Sequence, residues 1–519
     1  MESTGFSLLH RLQTSSCFSF SFFLLFLFLF LVLFTISVAS IFCVFLWFSR
    51  RRLLCRCHIC DSYRTCSWAK EFDNLCDWYA HLLKKSPSQT IHIHVLGNVI
   101  TANPQVVEYM LKTRFDNYPK GKPFSMILGD LLGKGIFNVD GDWWMFQRKM
   151  ASLELGSVSI RSYAYETVTR EIETRLLPLL SAAAAAEDGN RILDLQDVFQ
   201  RFSFDNICNF SFGVDPGCLE SSMPISSFAE SFNLATKLSA ERALAITPLV
   251  WKIKRLLNVG SEKKLNDAIK VVKVFAKDVI SQKRKLGFSN HQDLLSRFMT
   301  CVNDDKFLVD IVISFILAGQ DTMASALSAF FWLLGTHPEA VSRIRSEAKE
   351  VIEGDQEFVS FEQIRGLHYL HAVVYESLRL LPPIQFDSKF ALKDDVLPDG
   401  TFVKEGTRVT YHPYAMARME QIWGPDCTKF EPERWIEDGK FCPPNPYKYP
   451  VFQAGSRVCL GKEMAIVEMK IVALSVLRKF DITVISPASG PRFSPGLTAI
   501  MKGGVRVLVN KKRDAPPLE

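Results

Sequence analysis

From Leu12 to Ser49 the chain carries no Asp, Glu, Lys or Arg, and the run is dense in Phe and Leu. A helix that crosses a bilayer needs about 20 apolar residues, so this stretch is long enough to span one. A secretory apolar core is shorter, about 7–15 residues, and although Val38-Ala39-Ser40 imitates a cleavage site, the run resumes beyond it to Phe48. The pattern predicts a retained anchor. Arg50, Arg51, Arg52 and Arg56 follow it, against Arg11 and Glu2 before it. The cationic flank stays in the cytosol, and the rest of the chain with it.

Beyond about Ser67 helical periods alternate with short strand signals. Residues 91–101, IHIHVLGNVIT, predict a strand pair about a Gly-Asn turn. Residues 140–180 follow a helical period, and an Ala-rich loop is expected at Ser181–Asn190. Lys/Glu pairs at helical spacing in 261–287 predict a solvated helix face. From Lys306 to Gly335 runs KFLVDIVISFILAGQDTMASALSAFFWLLG, with too many polar residues for a second span; it reads as a helix buried through the middle of the body. Pro338 restarts the next helix, and the Pro-rich, aromatic stretch 430–450 reads as irregular chain. The fold class is mainly α (α+β), a helical body with minor sheets behind an N-terminal transmembrane helix.

Composition narrows the function classes. With 519 residues there is ample length for a large core, which excludes a small disulfide scaffold. A net charge of +6 over that length is too weak to imply a nucleic-acid partner. The chain has 13 cysteines, an odd number, and in a reducing cytosol no disulfide framework is expected. Cys55, Cys57, Cys60 and Cys66, with His58 among them, suggest zinc. Their C-x-C-x2-C-x5-C spacing is more compact than two separated ligand pairs, so free or thioesterified thiols beside a membrane are the stronger expectation.

The chemistry concentrates at Phe452-Gln-Ala-Gly455-Ser-Arg457-Val-Cys459-Leu-Gly461, followed by the helical KEMAIVEMKIVALSVLRKF. Cys459 precedes a helix N-terminus, whose dipole and free amides favour a thiolate, and Gly455 and Gly461 allow close approach to a flat ligand. A structural thiol, a nucleophile and a haem ligand all remain open on these residues alone.

The string F-x-x-G-x-R-x-C-x-G resembles, at every position, the haem-binding signature of the cytochrome P450 monooxygenases. The resemblance implies haem b with Cys459 as the proximal iron ligand, Arg457 paired with a propionate, Phe452 shielding the sulfur, and electrons from NADPH through NADPH-cytochrome P450 reductase. Ala318-Gly319-Gln320-Asp321-Thr322 matches the family's A-G-x-D/E-T. Glycine in a helix costs about 1 kcal/mol against alanine and is expected where something approaches closely, and an Asp-Thr pair on an apolar helix is costly unless used. The family role makes Thr322 a hydrogen-bond donor to the oxygen under activation and Asp321 a proton relay. The plain alternative has Thr322 bonded to its own helix and Asp321 facing solvent.

Glu376-Ser-Leu-Arg379 alone would be a surface pair; the resemblance joins it to Arg434 of FEPERW in a buried structural triad. Trp144-Met-Phe-Gln-Arg148 resembles the W-x-x-x-R helix that reaches the other propionate, with ordinary packing as the alternative. Stretches such as YPKGKPFSMILGDLLGKGIFNVDGDWW and PPIQFDSKFALKDDVLPDGTFV are similar to the plant fatty-acid ω-hydroxylases and jasmonoyl-isoleucine 12-hydroxylases.

That likeness implies hydroxylation at the terminal or near-terminal carbon of a fatty acid or an oxylipin conjugate, with Phe124, Phe137, Ala318, Phe386 and Leu497 lining the substrate. It also implies a single-pass protein of the endoplasmic reticulum membrane, in contact with lipid, its catalytic body cytosolic, serving lipid metabolism and jasmonate catabolism. The corresponding division is an anchor at 1–49, a juxtamembrane linker at 50–90 and a P450 catalytic domain at 91–513. Two departures stand out: the Cys/Arg stretch 50–66 replaces the usual Pro-rich hinge, and Gln320 stands where close relatives often have Arg. A haem-thiolate isomerase or dehydratase acting on peroxides would typically lack Thr322; a catalytically silent membrane-anchored protein would need no haem.

Overall fold

The computed structural model describes residues 25–43, 55–185, 191–220, 227–287, 293–352, 359–485 and 490–512. Two compact units emerge: Met1–Thr65 with His94–Leu96, and Cys66–Ile93 with Gly97–Glu519.

In the first unit the apolar helix Leu25–Cys43 is exposed along its length and runs without a break through Val38-Ala39-Ser40. Helix His58–Thr65 and the 3-10 turn His94–Leu96 complete what is described there. Arg50, Arg51 and Arg52, and Glu2 and Arg11 before the span, lie outside the described residues.

The second unit is mainly helical, as its pattern predicts. Within the expected 50–90 linker stands the amphipathic helix Leu75–Lys85, which buries Trp78, Tyr79 and Leu83 and ends on Lys84 and Lys85, favourable charges for a helix C-terminus. The predicted strand pair is Thr90–Ile93 with Asn98–Thr101, antiparallel, Ile91 opposite Ile100. Asn98–Thr101 runs parallel to Arg408–Tyr411, which pairs antiparallel with Asp387–Phe390. This sheet sets the chain after Pro382-Pro383 in place. Helix Gly260–Leu286 buries one face and leaves its Lys-rich face in water, as expected.

Two local expectations need correction. The loop at Ser181–Asn190 starts later, because alanine is the strongest helix former and carries helix Leu177–Ala184 through its first residues; 186–190 lie outside the described residues. The stretch 430–450 holds the 3-10 turn Pro432–Trp435 and a small hairpin, Ile436–Glu437 with Lys440–Phe441, turned at Asp438-Gly439, a dipeptide suited to two left-handed positions.

The predicted central helix runs from Asp305 to Leu334. Its length and apolarity would allow a membrane crossing, but 67% of an 18-residue apolar window within it is buried inside the fold. Between helices Asp305–Ile316 and Thr322–Leu334 lies one wide π-turn, Leu317–Asp321. Leu308, Val312 and Ile316 of the first half join a core with Phe232, Ile269 and Phe298. Leu327, Phe330 and Phe331 of the second half join another, with Phe199, Leu370 and Leu474.

Candidate active site

The cysteine loop is built from two 3-10 turns, Pro450–Phe452 and Gly455–Arg457, leading into helix Lys462–Lys479. The Cys459 amide donates to the Phe452 carbonyl at 2.8 Å, which folds the loop back on itself. Gly455 has φ +61°, and a Cβ there would lie 2.1 Å from the Leu111 carbonyl oxygen. Only glycine fits, and what approaches it is backbone.

Cys459 is exposed, although it lies deep in the fold. Its thiol therefore borders an interior space. Burial pushes the thiol above its ordinary value, with the Gly461 amide, Arg148 and Lys462 pulling the other way and not prevailing. The helix start thus fails to make a thiolate by itself. An anionic sulfur here needs a cation in direct contact.

Arg457 stacks on Trp144, its guanidinium carbon 4.4 Å from the ring centre, and pairs with Asp140 at 2.5 Å. Its Nε is buried without a hydrogen-bond partner. Arg148, one turn beyond Trp144 on helix Gly141–Gly156, donates to the Val458 carbonyl. Both motif residues therefore reach the cysteine loop. Asp140 also accepts the Lys120 and Gly121 amides at 3.0 and 2.8 Å.

A second buried carboxylate backs this arrangement. Asp387 receives Lys120 at 2.5 Å, Lys389 at 2.8 Å, Gln453 of the cysteine loop at 3.0 Å and the Tyr411 hydroxyl at 3.2 Å. Burial would raise the Asp387 carboxyl, but the two ammonium groups outweigh it and hold it well below the ordinary range. Sequence reasoning missed Asp140, Lys120 and Lys389, and placed Asp387 only in a stretch expected to contact substrate. The only signal was two charges, Asp387 and Lys389, on alternate positions of a strand whose first three residues are buried.

On the central helix, the Thr322 hydroxyl donates to the Ala318 carbonyl at 2.5 Å, the plainer of the two alternatives. Asp321 does the opposite of facing solvent. It is buried, its Oδ2 has no partner, and burial pushes its carboxyl up to about 7. Gln320 beside it is also buried, with Oε1 unpartnered. A Cβ at Gly319 would lie 2.3 Å from Ile207 Cδ1, so the close approach this glycine permits is that of helix Leu195–Phe212.

The expected lining residues divide. Phe124 and Leu497 pack against the core of the first helical half, Phe386 against that of the second. Ala318 is half-buried in the wide turn, and Phe137, 38% exposed, joins neither core. Ser325 of the central helix donates to the Ala499 carbonyl at 2.7 Å, and the Ala499 amide donates to the Pro383 carbonyl at 2.8 Å. The segment beyond Leu497 thus hangs between that helix and the Pro-Pro corner.

The triad is complete. Glu376, with no exposed side-chain surface, accepts Arg379 through two bonds of 2.8 Å, Arg434 at 2.9 Å, the Trp435 indole at 3.0 Å and the Glu431 amide at 2.8 Å. Arg379 spends its other donors on the carbonyls of Ala417, Cys427 and Lys429, at 2.6, 2.6 and 3.0 Å. Arg434 also meets the Asp426 carboxylate at 3.3 Å, so two guanidiniums face two carboxylates, the condition for such a group to be tolerated.

The family model for cytochrome P450 matches residues 68–505. The chain is a cytochrome P450. It is 57% identical to cytochrome P450 94C1 of Arabidopsis thaliana, over 92% of this chain and 97% of that protein. Identity is 47% with cytochrome P450 94B3 of the same plant, over 86% of this chain and 90% of the relative, and 43% with cytochrome P450 94A1 of Vicia sativa, over 86% and 88%.

As a member of this family, the P450 is a monooxygenase, an oxidoreductase that uses haem b held through a cysteine thiolate and electrons from a reductase. The residues present fit that group: an accessible thiol set deep in the fold, a buried Arg457 Nε with no partner, and the Arg148 and Arg457 cations beside the loop, suited to porphyrin carboxylates.

Proposed function

We propose that this P450 hydroxylates the terminal or near-terminal carbon of a fatty acid or of an oxylipin conjugate such as jasmonoyl-isoleucine. NADPH supplies the electrons through NADPH-cytochrome P450 reductase at the cytosolic face of the endoplasmic reticulum, where the single span holds the protein in contact with lipid. The observation that carries the oxygen chemistry is the wide turn, which presents a buried Asp321 carboxyl with an unpartnered Oδ2 next to Thr322.

When bound, haem supplies the reductive activation of dioxygen and the attack on a C–H bond. Cys459 would ligate its iron, Arg148 and Arg457 would meet its carboxylates, and Phe452 and Trp144 would lie beside it. Asp321, with a carboxyl near 7, can give and regain a proton at neutral pH, and the Thr322 hydroxyl offers lone pairs and a movable proton at the same turn. Terminal attack requires a narrow apolar approach. Held near the oxidising centre, the chain end gains in effective concentration over internal carbons with weaker C–H bonds. Phe124, Phe137, Ala318, Phe386 and Leu497 are the residues assigned to those walls in this reading, and the likeness of stretches such as PPIQFDSKFALKDDVLPDGTFV to the plant fatty-acid ω-hydroxylases supports such a substrate class.

Incubation of lauric acid and of jasmonoyl-isoleucine with the P450, reductase and NADPH, followed by mass spectrometry, tests this. Terminal alcohols or 12-hydroxyjasmonoyl-isoleucine are the expected products. Mainly mid-chain hydroxylation or epoxidation, or no turnover of either compound, overturns the substrate assignment.

A further inference from the structure

The short spacing of the cysteines after the membrane segment argued against metal binding when only those residues were counted. Folding adds a ligand from elsewhere. His94, in the turn His94–Leu96, brings its Nδ1 within 3.6 Å of Cys55 Sγ, 3.9 Å of Cys57 Sγ and 4.0 Å of Cys60 Sγ. All four ligand atoms lie within 4.8 Å of one another. His58 and Cys66 are not in this group.

The distances suit one ion. With Zn–S near 2.3 Å and Zn–N near 2.0–2.1 Å, the sulfur-to-nitrogen edge of a tetrahedron is about 3.5–3.6 Å. The three observed edges lie at or within half an ångström of that value. The surroundings also match. The Cys60 amide donates to Cys57 Sγ at 3.5 Å and the Val95 amide to Cys60 Sγ at 3.4 Å, bonds that disperse the charge of thiolate ligands and orient them. Cys57 and Cys60 form a C-x2-C turn at the start of helix His58–Thr65, and Cys60 is fully buried. All three cysteines are free thiols.

The geometry points to a structural zinc site, separate from Cys459, formed by Cys55, Cys57, Cys60 and His94. Three thiols and an imidazole are soft ligands that select zinc over magnesium or calcium, and four protein ligands leave no open position for catalysis. Each thiol gives up its proton to solvent as it binds. The ion clips the segment after the membrane helix to a turn 34 residues further along the chain than Cys60, closing a loop and offsetting the entropy cost of that closure in the folded state.

The test uses the full-length, haem-loaded protein in detergent. After exposure to stoichiometric zinc and desalting, metal analysis should find about one zinc per haem, and zinc-edge X-ray absorption should find three sulfurs near 2.3 Å and one nitrogen near 2.0–2.1 Å. Cys57→Ser and His94→Ala should each weaken zinc binding by more than the roughly 10–100-fold typical of changes around a site, while Cys66→Ser leaves it unchanged. Haem content reports folding in each variant. If the ligand variants lose haem, a chelator challenge of the wild type replaces them, and withdrawal of zinc should lower its melting temperature. Zinc below about a tenth of the haem, an oxygen-rich ion environment, or equal zinc in the wild type and both ligand variants overturns the site.

Discussion

The Arg457 guanidinium lies over the face of Trp144, and the same side chain closes an ion pair with Asp140. Stacking makes a distant helix part of the cysteine loop's scaffold. A desolvated cation–π contact is worth about 2 kcal/mol. Trp144→Leu should therefore lower haem retention during gel filtration, and Trp144→Phe should largely preserve it. Equal retention in both variants would show that the ring acts only as filling.

Glu376 receives five bonds in a site sealed from water. Removing one partner of a buried charge group costs about 3–5 kcal/mol. Glu376→Ala should abolish recovery of folded, haem-containing protein rather than slow turnover. Normal holoprotein yield would refute the structural role.

Cys459→Ser offers a neutral hydroxyl in place of the sulfur, a poor axial donor. The reduced carbon monoxide complex of the variant should lose the long-wavelength absorption of a haem thiolate. An unchanged spectrum would remove Cys459 as the ligand.

Thr322→Ala leaves the helix intact, because the hydroxyl's partner, the Ala318 carbonyl, belongs to the same helix. Substrate-binding spectra should persist while NADPH consumption separates from product and hydrogen peroxide is released. Wild-type coupling would reduce Thr322 to packing.

Asp321 carries the pH prediction. Burial raises its carboxyl to about 7 in the folded state, against about 3.9 unfolded, so the folded protein holds the extra proton between those values. Its contribution to stability is full below about pH 4 and is lost as pH rises through about 7. Asp321→Asn, permanently neutral, should gain stability relative to wild type from pH 5 to pH 8 in denaturant titrations, and should lose the proton-relay step in turnover. A stability difference that does not change with pH would place the Asp321 carboxyl in its ordinary range.

The parts of the site legible in sequence were those set by residue type at fixed local spacing. Cys459 with its flanking Gly and Arg and the apolar central helix fall in that class, whereas the Glu376–Arg379 pair, alone a surface pair, became legible through the family resemblance. What escaped depends on convergence. Asp387 meets Lys120 and Gln453 from segments far apart in the chain, and His94 joins three cysteines from a turn 34 residues further along the chain than Cys60. The Cys459 thiol shows the limit of a local rule: the helix-start effect was correctly identified, but its sign in the balance was decided by depth.

The wide turn at Leu317–Asp321 also acts as a phase shifter. One extra residue in a helical turn rotates everything beyond it by roughly 100° relative to an uninterrupted α-helix, since each residue advances the helix by that angle. The stripe of the first half can thus face one core while the stripe of the second faces the other, in a single continuous element. Winding the same residues as regular α-helix, with none removed, would tidy the hydrogen bonds and still ruin the protein. Phe330 and Phe331 would swing out of their core, and Asp321 and Thr322 would turn away together. In this segment the irregular hydrogen-bond pattern is as tightly constrained as the composition.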